Sequence, residues 1–86
     1  MNRSEWDKLS RDERAELVSQ LHGEYRSIRT VAALLCIGST TAHEYLVLSR
    51  IPSELREKYA LLSLKAFIRA SRSENVERAL ESIEDS

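Results

Sequence analysis

The sequence has 86 residues, of which 42% are hydrophobic and 31% are charged, and its net charge is −1. This balance is typical of one small soluble globular domain and argues against a disordered, fibrous or membrane-spanning chain. The single cysteine, Cys36, excludes an intramolecular disulfide, and the charged N-terminus does not resemble a signal peptide. We therefore expect a cytoplasmic protein with a single helical domain over residues 1–86. Because so short a chain has a small core, self-association stays open.

The residue usage predicts an all-α fold, a small multi-helix domain, since Gly and Pro are rare and Glu, Arg, Leu and Ala are frequent. Ser4 and Ser10 are each followed three residues later by an acidic residue, which is typical of helix N-caps. The second signal predicts a helix over 11–22, and Gly23 is expected to end it in a left-handed conformation.

The middle of the chain predicts two helices separated by a short break. Ser27 is expected to cap the first helix, whose interior is apolar on most sides and is therefore predicted to be buried. Gly38 and Ser39 interrupt this helix, and a second helix follows over 40–50.

Three further helices are predicted in the C-terminal half. Pro52 is expected in the first turn of a helix over 53–61, and a helix over 64–71 follows. Ser73 is expected to cap a C-terminal amphipathic helix over about 74–84, which has an acidic face and an apolar stripe. Since no later element covers this stripe, we expect it to pack on its own domain or on a second copy. The homodimer interface that we predict on this basis includes Val76, Ala79, Leu80 and Ile83.

Charge is unevenly distributed along the chain. The net charge is −2 over residues 1–24, +5 over 25–72 and −4 over 73–86. A basic centre between acidic ends favours a surface that faces DNA. Chance clustering of charges on a small helical protein is the alternative.

Residues 28–48 have the pattern of a helix-turn-helix, in which a buried helix and a second helix apolar on one side are joined by a tight turn. The small residue Ala32 allows the two helices to approach closely, and Ile37 is the apolar residue of the turn. Ala42 is expected to pack the second helix against the first. In this arrangement the second helix is free to enter the major groove of DNA. A tight helix hairpin without a DNA-binding role has the same pattern.

The run VAALLCIGSTTAHEYLVLSRIPSELR, residues 31–56, resembles the helix-turn-helix core of ParB/KorB-type DNA-binding proteins, and the likeness extends over 27–70. The resemblance implies a plasmid- or phage-type transcriptional repressor or a partition-related factor. The family's N-terminal nucleotide-binding domain and its Arg-rich motif are not found, so CTP-dependent sliding is not implied. Cys36 stands where the family usually has Gly, and residues 39–49 contain no Arg or Lys. The matching positions are Val31, Ala32, Leu35, Ile37, Ala42, Leu46, Leu48, Ile51, Pro52, Glu54 and Leu55.

One face of the second motif helix supplies candidates for reading bases, because residues i, i+3, i+4 and i+7 share a side. Hydroxyls can bond base edges or phosphates, imidazole can donate to a purine, a carboxylate can accept from cytosine, and valine can touch a thymine methyl. The alternative is an ordinary solvated surface. The predicted base-reading residues are Ser39, Thr40, His43, Glu44 and Val47.

Phosphate contacts are predicted for the cations of the basic centre. Three of them are spaced i, i+4 and i+7 on one helix, and two flank the start of the first motif helix, where backbone N–H groups also attract phosphate. A solvated helix face is again the alternative. The candidates are Arg26, Arg29, Arg50, Arg56, Lys58, Lys65, Arg69 and Arg72.

Catalysis has little support in the sequence. The two histidines form no set with metal-ligand spacing, and there is no Gly-rich phosphate loop. We expect no enzyme activity, no cofactor, no metal, no small-molecule ligand and no membrane. The predicted function is sequence-specific binding of double-stranded DNA by a homodimeric protein. The alternative is a protein-protein interaction module that keeps the helix-turn-helix fold without specific DNA binding.

Overall fold

A computed structural model of the chain describes residues 3–85, which form seven α-helices and no β-strand. The predicted all-α fold is confirmed. The chain divides into two compact units, Met1–Ser49 and Arg50–Ser86, here called the N-terminal and C-terminal units. The single domain predicted over residues 1–86 stays a prediction. The helices are α1 (Arg3–Lys8), α2 (Arg11–Tyr25), α3 (Ile28–Leu35), α4 (Ser39–Ser49), α5 (Ser53–Lys58), α6 (Leu64–Ser71) and α7 (Val76–Asp85).

The start of α2 is fixed by a capping box. The Glu13 N–H donates to the Ser10 hydroxyl at 3.2 Å, and the Ser10 N–H donates to the Glu13 carboxylate at 2.9 Å. Two backbone donors that a helix start leaves unpaired are thereby satisfied. The cap predicted at Ser10 is confirmed, whereas Ser4 lies inside α1 and is not a cap.

The predicted end of α2 at Gly23 is wrong. The helix runs to Tyr25, and Arg26 ends it in the left-handed conformation, with φ 56° and its N–H donating to the His22 carbonyl at 2.9 Å. A glycine costs a helix interior only about 1 kcal/mol, so a long packed helix continues through it.

The core of the N-terminal unit lies where α2, α3 and α4 contact one another. On α3 the buried residues are Val31, Ala32 and Leu35. Ser27 caps this helix as predicted, and its hydroxyl accepts from the Thr30 N–H at 3.3 Å. The expectation that α3 is buried on most sides is wrong, because Leu34 is 40% exposed. The other buried residues of this unit are Trp6, Ala15, Val18, Ala42, Tyr45, Leu46 and Leu48.

The C-terminal unit begins with the short helix α5. Pro52 is its N-cap and not part of its first turn, and the helix ends at Lys58, three residues before the predicted end. The backbone then forms turns that leave the Leu61 side chain fully exposed.

Helices α6 and α7 contact each other in the C-terminal unit. The bounds predicted for α6 are confirmed, with Ser63 accepting from the Ala66 N–H at 3.2 Å. The cap of α7 is Asn75 and not Ser73, since the Arg78 N–H donates to Asn75 Oδ1 at 3.0 Å. The buried residues of this unit are Ile51, Tyr59, Phe67, Ala70 and Leu80.

Candidate nucleic-acid interface

Helices α3 and α4 are joined by three residues, 36–38, and the chain bends by 109° between them. This angle lies within the range of about 90–120° found in helix-turn-helix motifs. Cys36 makes the bend in the left-handed conformation, with φ 57°, and the Ile37 N–H donates to the Ala32 carbonyl at 3.0 Å. Cys36 is an exposed turn residue and not part of the core.

Helix α4 has one buried side and one exposed side. Ala42, Tyr45, Leu46 and Leu48 are buried and span a wide arc of the helix, given a turn of about 100° per residue. The opposite side carries the polar residues Ser39, Thr40 and His43, which are exposed and point away from the core.

The structure brings four of the five predicted base-reading residues onto this exposed side. Ser39, Thr40 and His43 are exposed, and Val47 is half-buried beside them. We call these four residues the exposed face of α4. Glu44 lies half-buried at the edge of the face and already interacts with neighbouring groups of its own chain.

A cluster of two aromatic rings and one guanidinium group stands on the buried side of α4. The Trp6 and Tyr45 rings meet edge to face, with centroids 5.3 Å apart, and both side chains are buried. Arg14 of α2 packs over both rings and donates to the Tyr45 hydroxyl at 3.1 Å. Sequence reasoning missed Arg14, since nothing in its local pattern distinguishes it from a surface arginine.

Two predicted phosphate contacts lie in the N-terminal unit with α4. Arg26 caps the end of α2, and Arg29 lies in the first turn of α3. Both side chains are exposed. Each is therefore accessible to a phosphate group.

The remaining predicted phosphate contacts belong to the C-terminal unit. Several of them have partners within the chain: Arg56 Nε donates to the Ile51 carbonyl at 3.1 Å, and Lys58 Nζ lies 5.5 Å from the centroid of the Tyr59 ring. Lys65 also interacts with groups of its own chain. Lys65 and Arg69 lie on α6, and Arg72 caps its C-terminal end, so these three form a basic stripe at the surface. The exposed cations of the set are Arg50, Lys58, Lys65, Arg69 and Arg72.

The stripe predicted at a dimer interface is partly covered by the chain itself. Leu80 is fully buried within the C-terminal unit, where α7 packs against α6. It is therefore not available to a second copy as it stands, which corrects its place in the predicted interface. Val76, Ala79 and Ile83 are half-buried.

The described part of the chain contains no group of three or more His, Cys, Asp or Glu side chains that is able to hold a metal ion. Within residues 3–85 no single helix is long and apolar enough to cross a membrane. Helices α3 and α4 meet such a criterion only as a pair, and that pair is sharply bent.

Comparison with known proteins finds no matching family model, no matching curated protein and no matching solved structure. The likeness of residues 31–56 to ParB/KorB-type cores stays a prediction.

Proposed function

We propose that this protein binds double-stranded DNA in a sequence-specific manner, with α4 inserted in the major groove. The observation that carries the proposal is the exposed face of α4, which follows a three-residue turn and a bend of 109°. A major groove about 12 Å wide accepts one α-helix, and the helix side that faces away from the core is the side that meets the bases.

The side chains of this face have the chemistry that base reading needs. The Thr40 hydroxyl donates and accepts, the His43 imidazole donates to N7 or O6 of a purine, and the Val47 methyl groups pack on a thymine methyl. Glu44 has a lesser part, because it already interacts within the chain.

The exposed cations supply affinity that does not depend on sequence. Residues 39–49 contain no Arg or Lys, so α4 itself adds little attraction for phosphate. Arg26 and Arg29 in the N-terminal unit and the stripe Lys65, Arg69 and Arg72 in the C-terminal unit provide it. Each phosphate neutralised makes the slope of log affinity against log salt concentration more negative by about 0.9.

The biological role that fits this activity is transcriptional repression or plasmid partition in the cytoplasm, as the resemblance to ParB/KorB-type cores suggests. Occupancy of an operator by the protein blocks polymerase. A homodimer doubles the base contacts, because two-fold symmetry places a second α4 about one DNA turn away.

The proposal is tested by selecting bound fragments from random duplex DNA with the full chain. The affinity for the selected duplex is then compared with that for a scrambled duplex of equal length and composition, by fluorescence anisotropy at several salt concentrations. We expect a preference of about 10³-fold or more and a steep fall of affinity with salt. Equal affinity for both duplexes contradicts the proposal.

A protein-protein interaction module is the second candidate function. The 40% exposure of Leu34 on α3 favours it, as does the absence of cations from α4. An interaction module shows no preference for any duplex, so the same titration separates the two candidates.

A further inference from the structure

The guanidinium group of Arg14 connects three helices of the N-terminal unit. Its Nε donates to the Trp6 carbonyl of α1 at 3.2 Å, and its Nη1 donates to the Tyr45 hydroxyl of α4 at 3.1 Å. Its central carbon lies 4.9 Å from the centroid of the Trp6 ring and 5.9 Å from that of the Tyr45 ring. Arg14 itself belongs to α2. One side chain thus holds α1 and α4 against α2.

Tyr45 places this contact on the far side of α4 from the proposed DNA-binding surface. It follows His43 by two residues, which corresponds to a rotation of about 200° around the helix axis. The Tyr45 side chain is 7% exposed, whereas His43 is exposed. The hydrogen bond between Arg14 and the Tyr45 hydroxyl therefore holds α4 from its buried side and does not involve the side chains of its exposed face.

The other buried side chains of α4, Ala42, Leu46 and Leu48, pack by apolar contacts. The bond to Tyr45 adds a directional contact to this packing. A hydrogen bond weakens steeply when its angle changes. Binding geometry has to be held within about 0.5 Å and 10–20°, so a directional contact on the buried side matters for base reading.

We propose that Arg14 is a positioning residue for sequence recognition: through Tyr45 it fixes the rotation of α4 about its axis, and thereby the places of Thr40 and His43 in the groove. This inference rests on the proposed DNA binding. Arg14 touches no DNA in this account, and the Trp6 carbonyl and ring hold its guanidinium group in place.

The inference is tested with the full-chain variants Tyr45→Phe and Arg14→Met. The quantity measured is the ratio of affinities for the selected and the scrambled duplex. We expect Tyr45→Phe to lower this ratio about fivefold, because a shifted α4 weakens a base contact of Thr40 or His43, with no change in affinity for the scrambled duplex. The double variant loses no more of the ratio than Arg14→Met alone, because both changes break the same bond.

Two control variants match the chemical changes. Tyr25→Phe removes a hydroxyl from a tyrosine of the same unit that is 50% exposed, and Arg78→Met removes an exposed cation from α7. Both are expected to leave the ratio unchanged. Circular dichroism confirms that each variant is folded, and if Arg14→Met does not fold, Tyr45→Phe decides alone.

The outcomes separate this inference from the proposed function. If the wild-type chain shows no preference for the selected duplex, both are overturned. If the wild type discriminates and Tyr45→Phe discriminates equally well, the positioning role is overturned and DNA recognition stands. A purely structural role lowers the melting temperature of Tyr45→Phe without changing its affinity ratio, and that result also overturns the positioning role.

Discussion

The ring of Trp6 meets the ring of Tyr45 edge to face, with centroids 5.3 Å apart and planes at 86°. This contact joins α1 to α4 across 39 positions of sequence, and both residues are almost fully buried. Edge-to-face pairs are favourable beyond the area they bury, because the positive edge of one ring meets the negative face of the other. The short helix α1 therefore contributes to the support of α4.

Replacing Trp6 by Ala is expected to destabilise the protein by about 3–5 kcal/mol, because a large buried aromatic side chain is lost and a cavity remains. Urea unfolding followed by circular dichroism measures the change. Trp6→Phe keeps a ring against Tyr45 and is expected to cost clearly less. Equal stability of Trp6→Ala and the wild type would show that α1 does not support the core.

The capping box of α2 predicts a dependence of stability on pH. The hydrogen bonds from the backbone N–H and the side chain of Ser10 hold the pKa of Glu13 below its ordinary value of 4.5. A carboxyl whose pKa is lower in the folded state stabilises the fold fully above its unfolded pKa, and this contribution is lost as the pH falls through the folded value.

The matched variant is Glu13→Gln, which keeps an acceptor for the cap and does not titrate. Between pH 5 and pH 3, the free energy of unfolding of the wild type is expected to fall more steeply than that of Glu13→Gln. Thermal melts at closely spaced pH values measure both curves. If the free energy of unfolding of both proteins falls equally steeply over this range, the titration of Glu13 does not contribute to stability.

His43→Ala is expected to relax the preference at particular base pairs by about 1–3 kcal/mol, because a donor to a base edge is lost. A repeated selection from random duplex DNA shows which positions of the site become degenerate. Ser19→Ala on the exposed side of α2 is the control and is expected to leave the selected sequence unchanged. If His43→Ala selects the same DNA sequence as the wild type, the exposed face of α4 does not read the bases.

Arg69→Ala is expected to weaken binding to all duplexes alike and to lower the salt slope by about one unit, because one phosphate contact is lost. Arg78→Ala removes the same charge from α7 and is expected to leave the slope unchanged. Affinities at four salt concentrations suffice to measure both slopes. If the two variants have the same slope as the wild type, the stripe on α6 does not contact phosphate.

Ile83→Lys is expected to convert a homodimer into a monomer. Ile83 is half-buried in the C-terminal unit, and a charge there disfavours burial against a second copy. Sedimentation equilibrium measures the mass, with Ser82→Lys as a control that makes the same charge change at an exposed position of the same helix. A monomeric wild type contradicts the predicted homodimer. A dimeric Ile83→Lys variant shows that Ile83 of α7 is not needed at the dimer interface.

The sequence predicts local features well where a short pattern determines them. The serine and glutamate spacing at Ser10 predicts the start of α2, and the bounds of α6 follow from its apolar spacing. Helix ends are predicted less well, because the left-handed residue that ends a helix is expected to be glycine. In this chain Arg26 and Cys36 take that conformation instead.

The support of the candidate site was not predictable in the same way. Helical spacing places Thr40 and His43 on one face of α4, and their exposure confirms it. Arg14 and Tyr45 are 31 positions apart, and their hydrogen bond depends on how α2 and α4 pack. No local pattern contains that information.

The most direct test of specific DNA binding through α4 is an NMR titration of the ¹⁵N-labelled full chain with the selected duplex. We expect saturable shifts of the amide signals of Ser39, Thr40 and His43 with the selected duplex, and weaker, salt-sensitive shifts with a scrambled one. Signals of α4 that stay unperturbed at saturating concentrations of the selected duplex would contradict this expectation.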